Sequence, residues 1–463
     1  MTQVTFRERS KVEIGTKKAL NNDPAARRMA DMRTTAAAAY PPMEEMRDRA
    51  RQIRLHTLSQ LDRYLDLFAS AVERNGGTVF FAADADEANR YIADLAIDRG
   101  VQSVVKSKSM VTEEIELNHH LESAGLDVVE TDLGEFIVQL SGDRPSHIIV
   151  PVAHKTRVEI GEVLAAELDA PLTAEPAEIN QIARNHLRSI FLAADMGISG
   201  VNFGVAETGT VVTVTNEGNA RLCTTAPRIH VAVMGMERIV PGPGDLAVML
   251  EVLARSAAGQ SLSVYTNLMT GPRRAGDPDG PEELHVVILD NGRSRVLGSE
   301  TSEILACIRC GACLNVCPVF QKVTGHAYGG VYTGPIGAVL TPAMFGHEAW
   351  GDLPFASSLC GACREACPIR IDIPKLLLQQ RAEITEAGGN EFAWLGPGLA
   401  AYRRIATNPV LWRAFLAAGG VFGRATGDWI TRMPFHAGNW TSTRDLPSPA
   451  SQSFHSWWKE NRR

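Results

Sequence analysis

Apolar residues in the first 300 positions come in short runs, separated by longer stretches with helical spacing. Residues 1–43 are polar, rich in Ala and Arg, and end in Tyr40-Pro41-Pro42; they read as an N-terminal arm with helical pieces. From Met43 to Asn75, Leu58, Leu61, Leu65 and Phe68 fall on one helical face, and Gly76-Gly77 ends the predicted helix. An alternation follows. Thr78–Ala82 predicts a buried strand, and Asp84 with Glu87 three residues on predicts a capped helix start. Val101–Val105, Leu126–Glu130, Phe136–Leu140 and His147–Val150 read as further strands. Met110–Ala124, Thr156–Leu168 and Pro176–Ala194 read as helices. Such alternation implies an α/β domain around a largely parallel sheet.

Beyond Val201 the pattern changes. Thr210–Thr215 and Ala220–Thr224 flank Asn216-Glu217-Gly218-Asn219, which predicts a hairpin. Ile229–Met234, Ser261–Thr266 and His285–Leu289 supply further strands, and Pro243-Gly244-Asp245 opens a helix to about Ala257. The sheet domain ends near Gly298.

Cysteine spacing then takes over. Residues 307–318 place Cys307, Cys310, Cys313 and Cys317 in C-x2-C-x2-C-x3-C-P order, the run of bacterial two-cluster ferredoxins. A second run, Cys360, Cys363 and Cys367 followed by Pro368, aligns with the first but has Ser357 in the first cysteine slot. In the ferredoxin pattern the fourth cysteine of each run ligates the other run's cluster. Cluster one then takes Cys307, Cys310, Cys313 and Cys367. Cluster two takes Cys317, Cys360 and Cys363. Its fourth iron site is left to a Ser357 oxygen, water, a partner residue or an empty corner ([3Fe–4S]); the competing reading makes Ser357 a turn or helix cap. The expected cofactors are two [4Fe–4S] clusters, the second with a non-cysteine fourth ligand or as [3Fe–4S].

Composition narrows the class. A chain of 463 residues is too long for a lone ferredoxin, and an apolar share of 45% is that of an ordinary globular protein. Seven of eight cysteines lie in the two runs, which fits a reducing cytoplasm; Cys223 reads as a small core residue on a strand. The start does not read as a secretory signal, and no apolar stretch reaches about 18 residues, so no membrane span is expected. Residues 1–300 carry 31 Lys and Arg against 42 Asp and Glu, which argues against nucleic-acid binding. Residues 381–463 carry ten against six, a basic tail that fits a solvated surface at least as well as docking on an acidic partner or a membrane surface. Thr324 to His347 has no acid, Lys or Arg; it reads as cluster shielding broken by Gly334-Pro335 and Thr341-Pro342, with a quinone or membrane docking face as the alternative. Ile369 to Arg381 leads into a helix begun at Pro374, and Phe454, Trp457 and Trp458 are expected to pack onto the body or a partner.

No dinucleotide or P-loop signature is present, so a first hydride acceptor is expected on another polypeptide. No catalytic residue is assigned and no organic-cofactor site is identified. Lys106 and Lys108, following a predicted strand, read as exposed loop lysines, with an anion held at the strand's carboxyl end as the alternative; Glu130, Asp132 and Glu135 read as a solvated acidic loop, with paired-carboxylate acid–base work as the alternative. The neighbours His119 and His120 point to different helix faces and make a poor metal pair.

Several stretches together resemble the lactate utilization protein B family. They are Val105-Lys-Ser-Lys-Ser-Met110, Val129-Glu-Thr-Asp-Leu-Gly-Glu135, Gly204-Val-Ala-Glu-Thr-Gly-Thr210 and Tyr265-Thr-Asn-Leu-Met-Thr-Gly-Pro-Arg273. Gly334-Pro-Ile-Gly-Ala-Val-Leu-Thr-Pro342, both cysteine runs and the ending Arg444-Asp-Leu-Pro447 with Trp457-Trp458 add to them. The resemblance implies a sheet domain similar to the sugar-phosphate isomerase and CoA-transferase superfamily. It implies an electron-transfer role in L-lactate oxidation to pyruvate. The partners it implies are lactate utilization proteins A and C, the first an iron–sulfur protein and the second smaller. It also implies that seven cysteines are the family's own number. The division expected is arm 1–43, α/β domain 44–298, ferredoxin-type domain 299–385 and C-terminal docking extension 386–463. The place expected is the cytoplasm, with a peripheral position on the inner face of the membrane as the alternative. The alternative function is a self-contained hydroxy-acid oxidoreductase whose α/β domain reduces its own clusters.

Overall fold

A computed structural model describes residues 4–388, 395–433, 438–441 and 444–462. The chain divides into two units, Met1–Glu386 and Ala387–Arg463. In the first, ten strands follow in order: β1 (Thr78–Ala82), β2 (Ser103–Lys106), β3 (Asp127–Glu130), β4 (Met196–Gly200), β5 (Phe203–Val205), β6 (Thr210–Thr215), β7 (Ile229–Gly235), β8 (Ile239–Val240), β9 (Tyr265–Met269) and β10 (Glu283–Leu289). Six of them form one all-parallel sheet in the order β1-β10-β7-β4-β2-β3. All seven residues of β7 are buried, as a strand covered on both faces requires. A second sheet, β8-β5-β6-β9, is antiparallel except between β5 and β8.

Most of the expected alternation is present, with instructive departures. Met43–Asn75 is two helices, Met43–Ser59 and Leu61–Arg74, parted at Gln60, which leaves the helical region at φ −136° and ψ 38°. Met110–Ala124 is also two helices, parted at the left-handed Glu116. Phe136–Leu140 is no strand; it lies in helix Leu133–Leu140, which turns Phe136 and Leu140, four apart, onto one face against Leu164 and Ile179. His147–Val150 is a turn, because the His147 ring accepts the Ile149 and Val150 N–H groups at 3.0 and 3.2 Å, the donors a ladder would use.

Ala220–Thr224 forms helix Asn219–Thr225, not a hairpin arm, so Cys223 is a buried helical residue. That helix presses on β4, where a Cβ on Gly197 would collide with the Cys223 carbonyl oxygen. The antiparallel partners of β6 are instead β5 and β9, the latter beginning only at Tyr265.

The arm is a strap. Helix Lys17–Ala38 packs on helices Pro243–Ala258, Ala312–Asn315 and Pro318–Val323, tying the sheet domain to the cysteine region. Gly334-Pro335 opens helix Gly334–Phe345 and Pro342 sits within it without ending it. Gly334 through Pro342 are buried, and Ile336, Ala338, Val339 and Leu340 join the core that includes Cys310, Cys313 and Cys317, so this part of the stretch shields the cysteines. Helix Ile373–Glu386 closes the first unit, starting one residue before Pro374.

The second unit has helices Leu395–Ala406 and Pro409–Thr426, a two-residue antiparallel pairing of Trp429–Ile430 with Leu446–Pro447, and helix Phe454–Asn461. Phe454 stacks with Trp457 and Trp458 at 5.9 Å, and all three stay exposed. The Trp440 side chain, residues 442–443 and Arg463 lie outside the described residues. Among those described, no helix is long and apolar enough to cross a membrane.

Candidate metal centre

The two cysteine runs fold as a repeated turn. In the first, Arg309 (φ 58°) and Gly311 (φ 73°) are left-handed on either side of Cys310; in the second, Leu359 (φ 56°) and Gly361 (φ 87°) flank Cys360 in the same way. For Arg309 and Leu359 this conformation costs free energy that glycine avoids, so the turn is imposed by its surroundings. It lets the Arg309 N–H donate to Cys307 Sγ at 3.3 Å and the Leu359 N–H donate to Ser357 Oγ at 3.1 Å. Short helices Ala312–Asn315 and Ala362–Ala366 follow the two glycines and pack on each other. The last cysteine of each run ends its helical turn and accepts a backbone N–H through sulfur: Cys317 from Phe320 at 3.5 Å, Cys367 from Ile371 at 3.4 Å.

This packing sorts the thiols. Cys310 and Cys313 interact electrostatically with Cys307 and Cys367, whereas Cys317 and Cys363 interact with each other and with Cys360. Cys313 also senses Cys363, so the two groups are neighbours. Five of the seven are buried, Cys307 is half-buried and Cys360 is exposed. Burial, then the neighbouring thiols, pushes Cys363 up to about 12 and Cys367 up to about 11, and Cys310 and Cys313 further. Such thiols ionise only where a cation compensates them, so the donor set suits iron held by thiolates.

Arginines surround the first group. Arg47 donates to the Cys367 carbonyl at 2.8 Å and Arg238 to the Cys307 carbonyl at 3.3 Å. The fully buried Arg54 donates to Leu305, Ala306, Ile239 and Glu237 carbonyls, and burial lowers it to about 10. Arg293, also fully buried, bridges Glu237 and Glu114 at 2.7 Å each. Burial alone would raise Glu237, but Arg293, Arg238 and Arg309 hold it at about 2. Four buried arginines (54, 238, 293, 309) thus face two buried carboxylates (114, 237), an excess of positive charge beside Cys307. That excess fits an anionic thiolate-bound cluster.

Three comparisons bear on this geometry. Residues 303–371 match the 4Fe-4S dicluster domain, residues 65–289 the LUD domain, and residues 381–463 the lactate utilisation protein B C-terminal region. Lactate utilization protein B of Shouchella clausii is 48% identical over 427 residues, covering 90% of this chain and 88% of that protein. The chain belongs to the lactate utilization protein B family. It is equally similar, at 48% over 424 residues with the same coverage, to an Escherichia coli K12 protein called uncharacterized electron transport protein YkgF. A crystal structure of a DUF162 family protein from Deinococcus radiodurans covers half the chain at 14% identity and TM-score 0.29, too distant to inform the fold.

In this lactate utilization protein B relative, a second polar centre departs from the sequence reading. Lys106 and Lys108 are not exposed loop lysines. Lys106 is buried and paired with Glu130 at 2.6 Å, and Lys108 is paired with buried Glu135 at 2.5 Å. The first pair follows from register, since β2 sets Lys106 opposite Glu130 on β3. Asp132 accepts the Lys108 N–H at 2.6 Å, so the acidic loop is folded inward. Burial pushes Glu135 up to about 8 despite the pull of Lys108. Both lysines lie at the carboxyl end of β2, as the sequence implied; their pairing with Glu130 and Glu135 is what it did not show.

Asp143, His154 and His326 also converge. Lys155 and Lys18 already hold the Asp143 carboxylate at 2.9 and 3.2 Å, which makes it an ion-pair hub rather than a metal site. His119 and His120 are exposed on helix Leu117–Ser123.

Proposed function

We propose that this chain is the electron-carrying member of a system that oxidises L-lactate to pyruvate, working with lactate utilization proteins A and C. The observation that carries this reading is the repeated cysteine turn and the sorting of its thiols. We assign Cys307, Cys310, Cys313 and Cys367 as ligands of one [4Fe–4S] cluster, and Cys317, Cys360 and Cys363 as ligands of a second. When bound, the clusters supply one-electron acceptors and donors. The chain's own residues hold the thiolates, donate backbone N–H groups to the sulfurs of Cys307, Cys317 and Cys367, and compensate charge through the arginines.

The division 1–43, 44–298, 299–385 and 386–463 is kept as part of this proposal, with the sheet domain placed beside the sugar-phosphate isomerase and CoA-transferase superfamily on the strength of its parallel sheet. The basic tail and exposed aromatics support docking of the extension on a partner, in the cytoplasm at the membrane's inner face. A quinone or another membrane carrier is the acceptor we place downstream. The test is anaerobic cluster bleaching by L-lactate, with and without the two partner proteins. Bleaching only with the partners is expected. Bleaching by this chain alone favours the self-contained oxidoreductase, and none in either case refutes the role.

A further inference from the structure

The order in which strands are added to the six-stranded parallel sheet reverses between β2 and β4. From β2 the chain moves outward to β3, while β4, β7 and β10 are added successively on the other side. In open parallel sheets such a switch point leaves a crevice outside the carboxyl ends of the two strands, and ligands bind there. Here the crevice is a cavity of about 480 Å3, reached by Lys108 just after β2 and by Gly200 and Asn202 at the end of β4.

Its chemistry is two-sided. Lys108, Arg238 and Arg309 line it, and Leu253, Ala254 and Ala257 of helix Pro243–Ala258 form an apolar wall. Both arginines are buried with donors to spare: Arg238 Nε and Arg309 Nη1 have no hydrogen-bond partner. Among the described residues, Glu237 is the one carboxylate paired with Arg238 and Arg309, at 3.7 and 3.4 Å, and it is shared with Arg293, which also holds Glu114. Buried guanidinium donors are costly to leave unpaired. A carboxylate matches a guanidinium in two parallel hydrogen bonds.

We propose that this cavity binds an organic monocarboxylate, with Arg238 and Arg309 receiving the carboxylate and the Leu253–Ala257 wall receiving the carbon body. A phosphate dianion is disfavoured, because Asp132 and Glu217 also line the cavity and β2 runs into Ser107-Lys108-Ser109 rather than a glycine-rich cradle. The site adjoins Cys307: the Arg238 guanidinium that would receive the acid also donates to the Cys307 carbonyl, and the Arg309 backbone N–H donates to the Cys307 sulfur. Occupancy therefore registers in the spectrum of iron held there. This site stands whether or not the chain carries electrons from lactate.

The test is calorimetric titration of the full-length, cluster-loaded, oxidised protein with pyruvate and with L-lactate, alongside paramagnetic resonance of the reduced protein. Saturable binding of at least one acid is expected, weakened at least about tenfold by Arg238→Gln. Ala257→Phe, which fills the cavity without altering a charge or a thiol, is expected to abolish it. Inorganic phosphate is expected not to compete. Should Arg238→Gln lose iron, Ala257→Phe decides alone. No saturable binding up to about 10 mM acid, binding that survives Ala257→Phe, or equal competition by phosphate overturns the proposal. Since no partner and no electron flow enter this titration, its failure leaves the partner-dependent bleaching test untouched.

Discussion

Leu359 donates its backbone N–H to Ser357 Oγ at 3.1 Å, in the position where Arg309 donates to the Cys307 thiol in the first cysteine turn. Ser357 therefore occupies a ligand's place in the repeat while acting as a turn cap. If it is a cap alone, Ser357→Ala costs about 1 kcal/mol of stability and leaves the paramagnetic spectrum unchanged. A shifted spectrum makes the serine a ligand. Ser357→Cys restores the eighth thiolate and is expected to slow loss of the second cluster in air.

The cysteines are expected to act unequally. Cys310→Ala removes a proposed ligand from the well-buried group ringed by arginines, and Cys360→Ala one from the group that includes the exposed thiol. The second cluster should be lost first on air exposure, and Cys360→Ala should hasten that loss. Time-resolved iron release and resonance spectra check the order; simultaneous loss contradicts it.

Glu237→Gln tests the buried ionic network. Removing that charge leaves Arg293, Arg238 and Arg309 short of a counter-ion, at a cost of about 3–5 kcal/mol. The exposed Arg273–Glu282 pair is the control, and Glu282→Gln should cost under about 1 kcal/mol. Denaturant midpoints of the cluster-loaded variants give the comparison.

Acid lability follows from His147. Burial lowers it to about 4, and its ring is held neutral, facing Asn315 at 2.9 Å through Nε2 while Nδ1 accepts two backbone N–H groups. Its folded value lies below the ordinary 6.5, so the unfolded chain binds more protons between pH 6.5 and about 4. Stability is therefore full above 6.5 and falls as pH drops through that window, by on the order of 3 kcal/mol from this group. His147→Gln should flatten that part of the thermal-midpoint profile; an unchanged slope refutes the assignment.

The extension makes a separate prediction. Phe454, Trp457 and Trp458 stack on one another and remain exposed, as interface anchors would. Removing residues 440–463 should weaken pull-down of the partner proteins and spare the cluster absorbance. Lost clusters with partner binding intact would make the tail a structural element of this chain.

What the sequence revealed depended on how local the cause was. The cysteine runs were legible because spacing and the flanking glycines and prolines are written in consecutive residues. The strands β1, β2, β3, β7 and β10 were legible as apolar runs. Phe136–Leu140 and Ala220–Thr224 misled because a five-residue segment is too short to separate the two periods, and packing on neighbouring helices or on Gly197 decided for helix. Lys106 and Lys108 were read as loop lysines because their partners emerge only when β2 and β3 align. The arginine network was illegible for a stronger reason: Arg54, Glu237, Arg293 and Arg309 are brought together from distant parts of the chain by the fold alone.

The central claim is that the two turns hold two clusters. Iron and acid-labile sulfide analysis of the anaerobically reconstituted chain, with Mössbauer spectra, tests it most directly. About seven to eight irons per chain are expected, falling on Cys360→Ala or Cys363→Ala. About four irons, unaffected by either substitution, would contradict the account.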